Sequence, residues 1–241
     1  MILTYTNIEE MAEIILKDFM GALTDNSRTI CPIDIEAFAT RYLGLRIGYT
    51  KLSDTGEVLG LTTYADVDVE LDRYMRKQAV KVARNSILID ESLIKPFSQP
   101  DKQKGRRRFT ISHECSHQIF YRNEPDERQQ SLKRQYSERK TYSLRELKTK
   151  DDWSEWQANA LGAALLMPPK YISLLIQRHA KGRRLVSYEN RFIYPDKLAL
   201  NLICNALGVS RAALVIRLRQ LGYIEDKPCS SFHDPLEVCC D

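Results

Sequence analysis

The chain has 241 residues, which at roughly 150 residues per domain suggests one domain with appendages rather than two full ones. It is 43% hydrophobic and 28% charged, an ordinary globular balance that excludes wholesale disorder and is ample to bury a core. The formal net charge is +4, too mild an excess to name nucleic acid or a membrane surface as a partner.

In chain order, the first helix is signalled by a capping box, Thr6 with Glu9 or Asn7 with Glu10. Ile8, Met11, Ala12, Ile15 and Phe19 then recur at helical spacing. A second helix follows Pro32, with Ile35, Phe38, Ala39 and Tyr42 on one stripe and Gly44 as its stop. The period then changes to two. Leu45, Ile47 and Tyr49 alternate, as do Val67, Val69 and Leu71, and Ile87 to Ile89 form a short apolar run. These predict three or four strands of a small antiparallel sheet with one face covered by helices.

A basic connector, Lys102 to Arg108, leads into an apolar-periodic helix from Phe109 to Tyr121. The stretch 122–150 is dense in charge and glutamine and reads as an exposed, mobile insertion with at most one polar helix. A strong helix resumes at Asp152 and stops at Pro168 and Pro169, a shorter one covers Tyr171 to His179, and a helix pair surrounds Gly208-Val209-Ser210. From Lys227 the chain reads as a loose tail. No apolar run approaches the ~20 residues of a membrane helix, and the first ten residues lack the basic and greasy segments of a secretory signal. The six cysteines, Cys31, Cys115, Cys204, Cys229, Cys239 and Cys240, show no framework spacing. Free thiols in a cytoplasmic protein without membrane contact are the expectation.

The chemistry concentrates in His113-Glu114-Cys115-Ser116-His117. Residues four apart on a helix are separated by about 400° of rotation, so His113 and His117 project from one face and can reach one zinc ion. Glu114 stands beside that face, placed to take a proton from an attacking water. Phe109, Ile111, Ile119 and Phe120 bury the helix, so two histidines and a glutamate on it need a polar purpose. Zinc needs a third protein ligand. The extended motif with a glycine and a third histidine is excluded, because Phe120 and Asn123 occupy those positions. A carboxylate from another helix is the alternative. Glu155 is the best placed, with Asn159 one turn on to steady it and Gly162 and Ala163 to let the two helices close up; Asp151, Glu138 and Glu146 are rivals.

Three stretches carry a resemblance. Arg108 through His117, Glu155-Trp156-Gln157-Ala158-Asn159 and Ala164-Leu165-Leu166-Met167-Pro168 resemble the ImmA/IrrE family of metallopeptidases. Pro32-Ile33-Asp34-Ile35-Glu36, Leu59-Gly60-Leu61-Thr62 and the Gly208-Val209-Ser210 helix pair follow the same order. The resemblance covers most of the chain, leaving out 122–150 and the residues after Tyr223. It implies an α+β, zincin-like fold with His113, His117 and Glu155 as ligands of one Zn2+ and Glu114 as the base. It also implies a substrate class, since many members cleave a helix-turn-helix repressor encoded beside them. Cys115 departs from the larger aliphatic residue common in the family. It lies about 200° from His113 on the helix and reads as core.

Other features have plainer readings beside functional ones. In the C-terminal helix pair Arg211, Arg217 and Arg219 could meet phosphates, yet Leu214, Val215, Ile216 and Leu218 leave few positions for reading bases. Arg106 and Arg107, in the basic run, are a solvated connector or a groove for an acidic substrate or regulatory nucleic acid. Tyr171 and His179 are ordinary helix residues or stabilisers of an oxyanion. Cys229, His233, Cys239 and Cys240 could bring a thiolate onto the zinc as a latch.

The domain reading is a metallopeptidase domain at 1–190, with 122–150 as an exposed insertion, a helix-turn-helix-like pair at 191–224 and a flexible cysteine-containing tail at 225–241. The functional expectation is a cytoplasmic zinc endopeptidase that cleaves a helix-turn-helix repressor, releasing mobile-element, phage or stress-response genes. The alternative is a non-proteolytic regulator or partner-binding module that works through the C-terminal helix pair.

Overall fold

The computed structural model describes residues 3–22, 32–53, 56–73, 76–94, 100–138 and 149–232. Helices and small sheets mix in an α+β arrangement, divided into two compact units. Of the described residues, the first takes in 3–22 and those from Asp34 to Leu166; the second includes Ile33 and those from Met167 to Phe232.

In the first unit, α1 (Tyr5–Ala22) buries Ile8, Ala12, Leu16 and Phe19. Its cap is two or three residues earlier than expected: Thr4 and Asn7 exchange side-chain and backbone hydrogen bonds at 3.2 Å each, satisfying donors that the helix start leaves free. The short helix α2 (Ile35–Ala37) is capped by Asp34, which accepts from the Ala37 N–H at 2.9 Å. It continues into a wider turn in which the Leu43 N–H reaches Phe38 O at 3.0 Å, and the chain leaves through Gly44 at φ +67°. Phe38 meets Phe19 edge-on, 5.2 Å between ring centres, tying the two helices together.

The strands follow as β1 (Arg46–Thr50), β2 (Val58–Thr63), β3 (Val67–Arg73), β4 (Arg76–Val82) and β5 (Ser86–Asp90). After them come α3 (Pro100–Arg122), α4 (Asp126–Ser131), β6 (Arg134–Glu138) and α5 (Lys150–Leu166). The main sheet has the order β1-β5-β2-β6. It is mixed, not antiparallel throughout: β1 lies parallel to β5, with Ile47 opposite Ile87, because the β2–β4 segment supplies the long crossover that a parallel pair needs. One face packs on α3. The other is covered by the β3–β4 hairpin, where Leu61, Val69, Leu71 and Val82 bury one another.

Two further expectations are corrected in this unit. The basic run Lys102 to Arg108 is not a connector: it is helical, because α3 starts at Pro100, whose fixed φ and missing N–H suit a first turn. The insertion is not exposed throughout. It holds the anticipated polar helix, α4, but its next residues form β6, the edge strand beside β2, with Gln135 opposite Thr62. Residues 139–148 lie outside the described residues.

The second unit holds α6 (Pro169–Ala180), β7 (Leu185–Tyr188), β8 (Arg191–Phe192), α7 (Tyr194–Leu207), α8 (Arg211–Gln220) and β9 (Ile224–Lys227). The expected boundary at 190/191 falls inside it, since α6 packs on α7 and β7 pairs with both β8 and β9. Gly208 at φ +64° ends α7, and Ser210 caps α8 by accepting from the Ala213 N–H at 3.3 Å. The chain bends through 102° between these helices. The start of the tail is ordered, contrary to expectation: β9 runs parallel to β7, and Phe232 lies 4.9 Å from the Tyr188 ring. His233, Cys239 and Cys240 lie outside the described residues. Among the described residues no single helix is long and apolar enough to cross a membrane.

Candidate metal centre

The site lies where α3 and α5 meet beneath β2 and β6. Helical spacing puts His113 and His117 on one face of α3, 5% and 2% exposed. Glu155 comes from α5, 7% exposed. Thr149 and Asp152 exchange capping hydrogen bonds at the start of α5, 2.9 and 3.0 Å, which leaves Glu155 free to face inward. The close approach of the two helices depends on Gly162. A Cβ there would stand 3.2 Å from the His113 backbone nitrogen, and Ser112 Oγ donates to Gly162 O at 3.0 Å.

The three side chains converge. His113 Nε2 lies 3.0 Å from His117 Nε2 and 3.2 Å from Glu155 Oε2, and His117 Nε2 lies 3.1 Å from Glu155 Oε1. Four donors placed tetrahedrally at ~2.0–2.1 Å from zinc stand about 3.3 Å apart, so these separations match a shared ion. Two ring nitrogens and a carboxylate turned toward one point, all buried, form a group that could hold a metal ion.

The charges agree with that reading. Burial alone would drive the Glu155 carboxyl up, but its hydrogen bonds to His113 and His117 outweigh this and hold it far below the usual carboxylate range. Burial pulls His113 down, while the hydrogen bond and charge of Glu155, with Glu114 and Asn159, raise it above its ordinary value. His117 is lowered by burial and by its neighbour His113. A cation at this point would meet two ring nitrogens and a carboxylate already held in its ionised form.

Glu114, fully buried, follows His113 on α3 and lies against the backbone of Gly60 in β2. A Cβ at position 60 would fall 2.7 Å from Glu114 Cδ and closer still to Oε1. The neighbouring Gln118 donates to Thr62 Oγ1 at 2.6 Å and Thr63 O at 3.1 Å, fastening α3 to β2.

Two residues here escaped sequence reasoning. Gln135 of β6 donates to Glu155 Oε1 at 2.8 Å, and Tyr64 donates through its hydroxyl to Gln135 Oε1 at 3.3 Å. Burial first, then the charges of Glu114 and Glu155, push the Tyr64 phenol well above its ordinary value and keep it a neutral donor. Nothing in the local sequence pattern signals this edge strand or singles out the glutamine.

Asn159 helps to raise His113 above its ordinary value. It shares a face of α5 with Glu155, and on that face the imidazole lies within reach. Asp151 is exposed in the first turn of α5, and the side chains of Glu138 and Glu146 lie outside the described residues. Cys115 is core, its thiol pushed up by burial. Arg106 is half-buried on α3, where Arg107 stands 3.5 Å from Glu36. Tyr171 and His179 are half-buried on α6 of the second unit. Arg211 lies over the Phe192 ring at 5.8 Å. Arg217 cannot meet phosphates: it is 1% exposed and donates to Met167 O at 3.1 Å. Arg219 is engaged with Asp226 through Nε at 3.0 Å and Nη2 at 2.8 Å. Cys229, half-buried, donates its backbone N–H to Glu189 Oε1 at 3.4 Å.

No protein-family model matches the chain, and no curated protein matches it.

Proposed function

We propose that the chain is a zinc-dependent endopeptidase whose substrate is a helix-turn-helix repressor. The observation that carries the reading is the convergence of His113, His117 and Glu155 within 3.0–3.2 Å of one another, with the buried carboxylate of Glu114 beside them. The zincin-like fold and the repressor as substrate rest on the resemblance of the two motifs to the ImmA/IrrE peptidases. The mixed α+β architecture is compatible with that fold.

His113, His117 and Glu155 would hold the ion, which when bound supplies a Lewis acid for a peptide carbonyl and lowers the pKa of water toward ~7. Glu114 does the proton work. Its carboxylate takes the proton of the attacking water and delivers it to the nitrogen of the leaving amine. The bond formed is carbon to oxygen, the bond broken is the peptide C–N, and the proton count closes. Burial of Glu114 against the Gly60 backbone fixes where its oxygens stand, so the transfer needs no search for geometry.

The non-proteolytic reading has less support. The 102° bend of α7 and α8 falls in the range of a helix-turn-helix, but Arg217 and Arg219, two of the three arginines on α8, are spent on contacts within their own unit.

The test mixes the purified chain with the repressor-like product of the adjacent gene and follows fragments by mass spectrometry. A cut that disappears with chelator, and that Glu114→Gln reduces by about 10²–10⁴-fold with one zinc still bound, supports the reading. Retention of full cleavage by Glu114→Gln sinks it.

A further inference from the structure

We propose that Gln135 is a positioning residue of the metal centre, so that β6, from the stretch outside the peptidase resemblance, is a working part of the metal site. The proposal rests on the metal reading of His113, His117 and Glu155.

Two of the three ligands share one helix and are held in register by it. The third comes from α5, and its carboxylate plane is set only by what touches it. Gln135 touches it from the sheet side. A carboxylate accepts hydrogen bonds and donates none, so the Gln135 amide must present Nε2 to Glu155 Oε1, at 2.8 Å. That choice leaves Gln135 Oε1 as the acceptor for the Tyr64 hydroxyl at 3.3 Å. The Tyr64 ring stacks on Tyr121, 4.1 Å between centres and 14° between planes, and Tyr121 stands four residues beyond His117 on α3. A closed circuit results, from α3 through Tyr121, Tyr64 and Gln135 to Glu155, and back to α3 through His117.

The circuit is anchored to the inserted segment at several points. Tyr64 and Ala65 donate their N–H groups to Lys133 O at 2.9 and 3.3 Å. Arg134, on the same strand but off the circuit, donates through Nη1 to Asp68 O of β3 at 2.6 Å. Tyr121 donates through its hydroxyl to Gln129 O, on α4, at 3.2 Å. Partners that orient a metal ligand are commonly worth about 10–100-fold in metal affinity, and Gln135 has the geometry of one.

The experiment titrates zinc, and cobalt(II) as a spectroscopic stand-in, into the full chain in competition with a chromophoric chelator, and melts each metal-free protein alongside. Gln135→Leu should bind one equivalent about 10–100-fold more weakly, with an altered cobalt d–d spectrum and an unchanged metal-free melting temperature. Arg134→Ala, which loosens the same strand without touching Glu155, should keep wild-type affinity. Tyr64→Phe, which removes one hydroxyl, should weaken binding by a few-fold and carries the test if Gln135→Leu does not fold. Wild-type affinity and spectrum in Gln135→Leu, or in Tyr64→Phe where that variant stands in, overturn the proposal. So does an equal loss in Arg134→Ala, or a metal-free melting temperature that falls in step with affinity. A wild-type chain that takes up no metal fails differently, because it removes the metal centre itself.

Discussion

Gly60 shows how a residue without chemistry controls one that has it. The carboxylate of Glu114 occupies the space that a Cβ at position 60 would need, so the strand can approach α3 closely only where the side chain is missing. Gly60→Ala must displace either the strand or the carboxylate. The carboxylate is the far end of a flexible side chain and gives way first. A shift of about 1 Å in a catalytic group costs about 10²-fold, so under the proposed function the variant should lose about that much peptidase activity while binding one zinc at wild-type affinity. Full activity in Gly60→Ala, measured beside its zinc content, would show that Glu114 has room the geometry denies it.

At the scale of elements, α8 buries an arginine where a helix-turn-helix reading would expose one. Arg217 donates to Met167 O inside the second unit, and hydrogen bonds from charged groups contribute about 1.5–3 kcal/mol. Arg217→Met, which keeps the stem and removes the charge, should destabilise the second unit by about that amount in urea unfolding followed by circular dichroism. No loss would mean that the buried guanidinium costs as much as its partners return. The elements also show where sequence reasoning reached and where it stopped. His113 and His117 were legible because helical spacing puts them on one face, and Glu155 was the best placed of four carboxylates for the third position. The strands β1, β3 and β5 were legible because their apolar residues declare themselves. Arg134-Gln135-Tyr136-Ser137-Glu138 was not, because an edge strand has one neighbour and carries no apolar alternation. Nor were β7, β8 and β9, four residues or fewer each, whose pairing depends on contacts distant in the chain. Gly60, Gln135 and Tyr64 matter only through which atoms the sheet brings to Glu114 and Glu155, and no local pattern encodes that.

At the scale of the whole molecule, all three candidate ligands belong to the first unit, so the metal should stabilise that unit selectively. A ligand present at about a thousand times its dissociation constant adds about 4 kcal/mol to the state that binds it. Zinc at that excess should therefore raise the unfolding free energy of the first unit by about this amount, and chelator should remove the gain. A double substitution His113→Ala and His117→Ala should be insensitive to both. Superimposable unfolding curves with zinc and with chelator would contradict the site. The chain carries its own gauge for this measurement. Its two tryptophans, Trp153 and Trp156, flank Glu155 on α5, with rings 5.7 Å apart and Trp156 edge-on to Tyr5 at 4.7 Å. Excited at wavelengths where tyrosine no longer absorbs, the protein emits only from the helix that carries the third candidate ligand, so its native fluorescence is a local optical record of that helix while the second unit stays dark.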